Sequence, residues 1–168
     1  LKIKDRLPAK RILVTGAAGF MGSYETEALV RLGYQTYAVD DLSGGYRDNL
    51  PAGCQFTRLD LRNRNAVEKY MKKVRPEIIF HDAAFATEGG SQFTPINSTE
   101  RNYNIYLNTL VAGLRNGMKK MVFASSMSVY GSGRLPFTED MTPRPADPNG
   151  AGKAALEADL RALGVIQG

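Results

Sequence analysis

The sequence predicts an α/β fold, a doubly wound parallel sheet with helices on both faces, and three observations carry that prediction. Short apolar runs alternate with helix-patterned segments along the whole chain. The first run, Arg11–Thr15 (RILVT), stops at Gly16 and is followed directly by a glycine-spaced turn. The second run is followed by a carboxylate, Asp40, where strand gives way to loop.

Taken in order, Arg11–Thr15 is the first strand, and Phe20–Leu32 is a helix that Gly33 closes. Tyr34–Val39 is β-branched and aromatic, hence the second strand, and Gln55–Arg58 is a short third. A helix over Arg64–Val74 ends before Pro76, and Glu77–His81 forms the fourth strand. A longer helix covers Glu100–Asn116 with Gly117 as its stop, followed by the fifth strand, Lys120–Ala124. The Gly- and Pro-rich stretch Gly131–Gly150 reads as a functional loop. A last helix, Lys153–Leu163, leads into a sixth strand beginning at Val165–Ile166. The expected strand order is 3-2-1-4-5-6, with residues 1–168 forming one domain.

Composition narrows the function. With 43% hydrophobic and 23% charged residues, the 168-residue chain matches ordinary globular usage rather than disorder. Cys54 is the only cysteine and His81 the only histidine, which excludes an internal disulfide framework and leaves no metal site to expect. No apolar run is long enough to span a bilayer, and Leu1–Lys10 holds no apolar signal region, so a cytoplasmic protein without a membrane partner is expected. The net charge of +5 comes from dispersed lysines and arginines without a nucleic-acid-binding motif, so no nucleic-acid partner is expected.

The chemistry begins at Gly16-Ala17-Ala18-Gly19-Phe20-Met21-Gly22. Gly16 permits the tight turn, Gly19 lets the backbone approach a pyrophosphate, and Gly22 lets helix and strand pack closely. The helix N-terminus then presents N–H groups and a positive dipole end to phosphates. Asp40, 24 residues past Gly16, supplies a carboxylate for the adenosine ribose hydroxyls and disfavours a 2′-phosphate. No arginine adjoins Asp40 in the chain, so the expected cofactor is NAD.

With those motifs in place, the chain resembles the extended short-chain dehydrogenase/reductases, in particular nucleotide-sugar epimerases of the UDP-glucose 4-epimerase type. The matching segments are VTGAAGFMGS (14–23), VDDLSGG (39–45), LDLR (59–62), FHDAA (80–84) and FASSMSVYG (123–131). The resemblance implies a Rossmann domain whose Phe20 and Met21 lie over the pyrophosphate. It places Asp40, Asp41, Leu42 and Ser43 around the adenosine ribose, and Asp60 and Leu61 at the adenine. Ala83, Ala84 and Phe85 would border the cofactor, and Asn102 matches the family's helix asparagine. Ser126 matches the catalytic Ser/Thr, and Lys153 the lysine of the Y-x-x-x-K pair, which also contacts cofactor; Glu157 supports it. Dehydratases of this fold carry Asp-Glu after the Ser/Thr, whereas this chain has Met127-Ser128, which favours an epimerase. The implied reaction is epimerisation of a nucleotide-sugar, a UDP-sugar above all, by transient hydride transfer at a ring carbon. A homodimer through the helices after the fourth and fifth strands is also implied.

Two departures qualify this. The family's acid/base tyrosine should stand four residues before Lys153, but Pro148-Asn149-Gly150 places Asn149 there. An amide exchanges no proton near neutral pH, so turnover is expected to be impaired rather than abolished. The alternative is an NAD-binding pseudoenzyme, a regulatory or assembly subunit without turnover. The second departure is length: the family's C-terminal substrate-binding part is expected to be absent or truncated.

Plainer structural roles compete at several positions. His81 reads as a structural histidine. Ser125, Ser126 and Ser128 could form only a polar strand end, but the carboxyl edge of a parallel sheet is where such folds bind ligands. Lys153 is read as a first-turn helix cation, unfavourable with the dipole and therefore recruited. Glu88-Gly89-Gly90-Ser91 reads as a loop facing substrate.

Overall fold

The computed structural model describes residues 9–85, 93, 94, 96, 98, 100–133 and 135–167, so the Glu88–Ser91 loop lies outside the described residues. The described residues fall into two compact units, one within 9–83 and 108–123, the other within 84–107 and 124–167.

The first unit holds the whole sheet. Its centre is β1 (Arg11–Thr15), flanked by β2 (Gln35–Asp40) and β4 (Ile78–His81). Outside these lie β3 (Gln55–Arg58) and β5 (Lys120–Phe123), giving the order β3-β2-β1-β4-β5 with every pair parallel. Ile12, Leu13 and Val14 are fully buried, because a central parallel strand is covered on both faces. Ile12 and Val14 form one core cluster with Leu29, Ala38 and Ile78. Burying side chains of this size is worth about 1.5–3 kcal/mol each.

α1 (Phe20–Arg31) joins β1 to β2, and α2 (Arg64–Val74) joins β3 to β4. In α2, Val67, Met71 and Val74 recur at helical spacing and are buried. Asn63 caps this helix by accepting from the Ala66 N–H at 3.1 Å, and Arg75 ends it in the left-handed region at φ 50°. The chain steps outward from β1 to β3 and then returns to β4 on the other side of β1. This reversal puts the topological switch point at the carboxyl ends of β1 and β4, where Thr15 and His81 are register partners.

The second unit contains a π-helical turn (Glu100–Asn104), a 3₁₀ turn (Met127–Tyr130) and α4 (Pro148–Gln167). α3 (Ile105–Arg115) runs on from the π-helical turn, and its residues from Asn108 onward belong to the first unit.

Two expectations are corrected. The last helix starts at Pro148 rather than Lys153, because Asp147 caps it, accepting from the Gly150 N–H at 3.0 Å, and proline suits the first helical position. Lys153 therefore stands in the second turn, and the first-turn argument for it lapses. Val165–Ile166 is helical, not a sixth strand, since α4 continues through Gln167. Smaller shifts occur at β2, which begins at Gln35 and includes Asp40, and at β4, which begins at Ile78.

Candidate functional site

In the first unit, steric exclusion fixes the glycine turn. Gly16 has φ +67°, and a Cβ there would meet the Ala83 nitrogen at 2.7 Å. A Cβ on Gly22 would meet the Gly16 carbonyl oxygen at 2.3 Å, and one on Gly19 the same oxygen at 3.2 Å. Gly16 and Gly22 are thus required by backbone contacts, while Gly19 is only closely packed. Gly19 is also the N-cap of α1, with no side chain bonded to the helix end and no acidic residue in its first turn. An uncapped, uncharged helix start of this kind suits a phosphate. Phe20 and Met21 project from it, 81% and 55% exposed.

Asp40 is buried and ties the turn to the end of β2. Its Oδ2 accepts from the Ala18 N–H at 3.0 Å and its Oδ1 from the Leu42 N–H at 2.8 Å. Each carboxylate oxygen keeps a second lone pair for a ligand hydroxyl. The second of these bonds holds Leu42 at φ 64°, a conformation uncommon for a bulky residue and frequent near binding sites. Asp41 Oδ1 accepts from the Ser43 N–H at 2.8 Å, shaping the same loop. The β3 register sets Arg58 opposite Asp40, a neighbour invisible in the linear sequence, and its Nε donates to the Asp41 carbonyl at 3.1 Å.

Asp60 forms a paired contact with Arg62 at 2.7 Å, and Leu61 is buried with its carbonyl accepting from Asn108 Nδ2 at 2.9 Å. The Ala83 N–H donates to Thr15 Oγ1 at 3.3 Å. His81 fills a structural place, its Nδ1 2.9 Å from Thr15 Oγ1 and its ring stacked on Phe123. Burial pushes the Cys54 thiol up, which leaves it a poor nucleophile. A cleft of about 500 Å³ beside the turn is bordered by Phe20, Tyr24 and Tyr46, and sequence reasoning did not find it.

The second unit gathers the remaining residues. Asn102 is buried in the π-helical turn, where its Oδ1 accepts from the Phe85 N–H at 2.7 Å and its Nδ2 donates to the Phe85 carbonyl at 3.4 Å. It therefore fixes the backbone that follows Ala84. Ser126 caps the 3₁₀ turn, its Oγ accepting from the Ser128 N–H at 3.2 Å and from Ser128 Oγ at 2.8 Å. Both bonds use Ser126 as acceptor, so its own O–H remains a donor. Lys153 is buried and its Nζ donates to the Ala124 carbonyl at 2.6 Å. Glu157 accepts from the Ser125 hydroxyl in a short hydrogen bond and from Arg161 at 3.4 Å.

Asn149 lies one helical turn before Lys153 on α4, is 94% buried, and its Oδ1 has no hydrogen-bond partner among the described residues. The next residue, Gly150, packs so closely that a Cβ would meet the Ser128 carbonyl oxygen at 2.4 Å. Among the described residues no group of three or more His, Cys, Asp or Glu could hold a metal ion, and no helix is long and apolar enough to cross a membrane.

A curated UDP-glucose 4-epimerase of Azospirillum brasilense is 34% identical over 159 residues, covering 94% of this chain and 46% of that protein. The crystal structure of a Thermus thermophilus UDP-glucose 4-epimerase in complex with NAD is similar with TM-score 0.88 and 39% identity, over 92% of this chain and 50% of that one. A Thermotoga maritima UDP-glucose 4-epimerase solved with UDP-glucose gives TM-score 0.86 and 34% identity, over 90% and 50% respectively. The chain spans about half the length of the curated relatives it matches. The family model described as NAD dependent epimerase/dehydratase family matches residues 12–165, and on the glycine turn, the parallel sheet and this match together the chain belongs to that family.

Proposed function

We propose that the chain is the cofactor-binding and proton-transfer part of an NAD-dependent nucleotide-sugar epimerase acting on a UDP-sugar, with turnover weakened at Asn149. The observation that carries the first half is the steric cradle at Gly16 and Gly22 together with an α1 start that no side chain caps, the place where a pyrophosphate would bind. In this reading the glycine turn and the α1 start hold the pyrophosphate, with Phe20 and Met21 over it. Asp40, Leu42 and Ser43 hold the adenosine ribose, and Asp60 and Leu61 the adenine. Ala83, Ala84 and Phe85, kept in place by Asn102, border the nicotinamide end. NAD, when bound, supplies the acceptor and donor of the hydride at the sugar ring carbon.

The chain's own residues then handle the proton. Ser126 donates its remaining O–H to a substrate oxygen, and the Lys153 ammonium supplies positive charge beside the reacting centre. Asn149 hydrogen-bonds substrate but cannot accept its proton. General acid–base catalysis is worth about 10²–10⁴-fold, and that is the rate the amide forgoes. In Asn149→Tyr, UDP-galactose to UDP-glucose conversion with added NAD is expected to rise by about 10²-fold or more. An unchanged rate in a folded variant that binds NAD overturns the epimerase reading.

The buried Asn149 amide oxygen, without a hydrogen-bond partner among the described residues, favours one other reading, an NAD-binding regulatory or assembly subunit. The two readings diverge when UDP-sugars are added to the NAD-loaded protein. A change in nicotinamide absorbance supports the enzyme, and binding without a response supports the subunit.

A further inference from the structure

Ala18, in the middle of the glycine turn, is fully buried, and both of its backbone groups are held from outside the turn. Its N–H donates to Asp40 Oδ2. Its carbonyl accepts twice, from the Tyr46 N–H at 3.1 Å and from Asn49 Nδ2 at 2.8 Å. On the other end of the same peptide, the Gly19 N–H donates to the Gly16 carbonyl at 3.0 Å. The Ala18–Gly19 peptide is therefore fixed at both ends, and it leads directly into the N-cap of α1.

The two donors to that carbonyl come from a segment that is itself anchored. Gly45 lies flush on the turn, where a Cβ would meet the Ala18 carbonyl carbon at 2.5 Å and its oxygen at 2.6 Å. A 3₁₀ turn follows, Arg47–Asn49, closed by the Asn49 N–H on the Tyr46 carbonyl at 3.0 Å and the Leu50 N–H on the Arg47 carbonyl at 3.2 Å. The Arg47 guanidinium lies over the Phe56 ring at 4.4 Å, and Leu50 and Phe56 pack against the core cluster that holds Ile12, Val14 and Ala38. Asn49 is exposed, so its contribution is the bond it donates rather than apolar area it buries.

We infer that Asn49 is a positioning residue for the dinucleotide turn, holding the Ala18 carbonyl so that the peptide entering α1 keeps the orientation the NAD pyrophosphate needs. This rests on the NAD reading above. A carbonyl oxygen carries partial negative charge, and one free to swing toward a phosphate repels it, whereas the N–H groups of a helix start attract it. Asn49 and the Tyr46 N–H occupy that oxygen, and Asp40 and the Gly16 carbonyl occupy the neighbouring N–H groups. Tyr46 donates from its main chain, so no substitution at position 46 short of proline removes its bond; the removable half of the clasp is Asn49. Its loss leaves one donor on the carbonyl, and the effect is that of a single hydrogen bond.

The test is calorimetric titration with NAD and, separately, with adenosine, which carries no phosphate, on wild type, Asn49→Leu, Asn49→Gln and Gly45→Ala. Thermal unfolding of each ligand-free protein confirms that it is folded. Asn49→Leu keeps the side-chain volume and removes the donor. Its NAD affinity is expected to fall about three- to tenfold, with adenosine affinity within about twofold of wild type. Asn49→Gln keeps the amide donor on one more methylene and should hold NAD affinity within about twofold of wild type. In Gly45→Ala the new Cβ displaces the same carbonyl with Asn49 intact, and NAD affinity should fall at least as far as in Asn49→Leu. NAD affinity unchanged in Asn49→Leu overturns the inference. So do equal losses for NAD and adenosine, which mark a general loosening of the fold, and an Asn49→Gln variant as weak as Asn49→Leu, which removes the donor from the account. Failure of the wild type itself to bind NAD overturns the cofactor reading and this inference with it, a result distinct from NAD binding that ignores position 49.

Discussion

The glycine turn and the Ser126–Lys153 region are held in opposite ways. At the turn, backbone meets backbone: Gly16 and Gly22 are excluded from carrying any side chain, and Asp40 accepts two main-chain N–H groups. Around Ser126 the contacts depend on side chains, Ser128 to Ser126 and Lys153 to the Ala124 carbonyl, and the buried Asn149 amide oxygen has no partner among the described residues. Backbone contacts and one carboxylate maintain the first arrangement, whereas the second depends on side-chain hydrogen bonds. On the proposed function, a substitution at Asn149 reduces chemistry without touching the glycine turn, so cofactor binding and turnover are expected to be separable.

The largest effect expected from breaking that contrast is at Gly22. In Gly22→Ala the new Cβ collides with the Gly16 carbonyl at 2.3 Å and the Ala17 Cα at 2.9 Å, neither of which can turn aside. A loss of about 3 kcal/mol in urea unfolding is expected, with NAD affinity reduced by about 100-fold or more in calorimetry. Gly33→Ala calibrates it. Gly33 has φ +82° but nothing within 4 Å of the new Cβ, so only the backbone preference is lost, about 1–2 kcal/mol, with NAD affinity unchanged. Equal NAD binding in Gly22→Ala and wild type would break the steric account of the turn.

A smaller effect sharpens the other side. Lys153→Met removes a buried cation and its bond to the Ala124 carbonyl, an expected cost of about 1.5–3 kcal/mol in thermal unfolding. If that region serves turnover, activity gained by Asn149→Tyr should disappear when Lys153→Met is added, while NAD affinity changes by about tenfold or less. Full activity in the double variant would remove Lys153 from the chemistry.

The two regions also differed in how far the sequence disclosed them. Arg11–Thr15, Gln55–Arg58 and Arg64–Val74 were legible to the residue, because apolar runs, helical spacing and Pro76 are local signals. The glycine turn was legible for the same reason, its spacing lying within seven residues. The start of α4 was obscured by Pro148, Gly150 and Gly152, poor interior helix formers, although Asp147 followed by proline is a helix-start signal. Val165–Ile166 misled because a two-residue β-branched run has no periodicity, and a helix already formed extends at little cost. Contacts between distant segments left no sequence signal: Asn102 on Phe85, Ser125 on Glu157 and Arg58 beside Asp40. Each of these depends on the fold rather than on neighbours in the chain.

The smallest expected effect returns to the sheet, where two glutamates respond to pH with opposite sign. Glu77, just before β4, accepts from the Lys10 N–H at 2.8 Å and the Arg11 N–H at 3.2 Å, with Lys119 Nζ 3.7 Å and Arg11 3.9 Å away. Those two N–H groups chiefly hold its carboxyl below the ordinary 4.5. A lowered value in the folded state gives stability that is present above 4.5 and lost as pH falls through the folded value. Glu25, on α1, works the other way: burial chiefly pushes its carboxyl up to about 8, so its stability is lost as pH rises from 4.5 to about 8. Glu77→Gln should therefore reduce the drop in unfolding temperature below pH 4.5 and leave the alkaline side unchanged, with NAD affinity at pH 7 as in wild type. Glu25→Gln should do the reverse on the alkaline side. Because Glu77 sits at the amino end of the strands and the glycine turn at their carboxyl end, a change in NAD affinity on mutating Glu77 would show that the turn responds to charge elsewhere on the sheet, and would undo its description as a geometry fixed by backbone contacts.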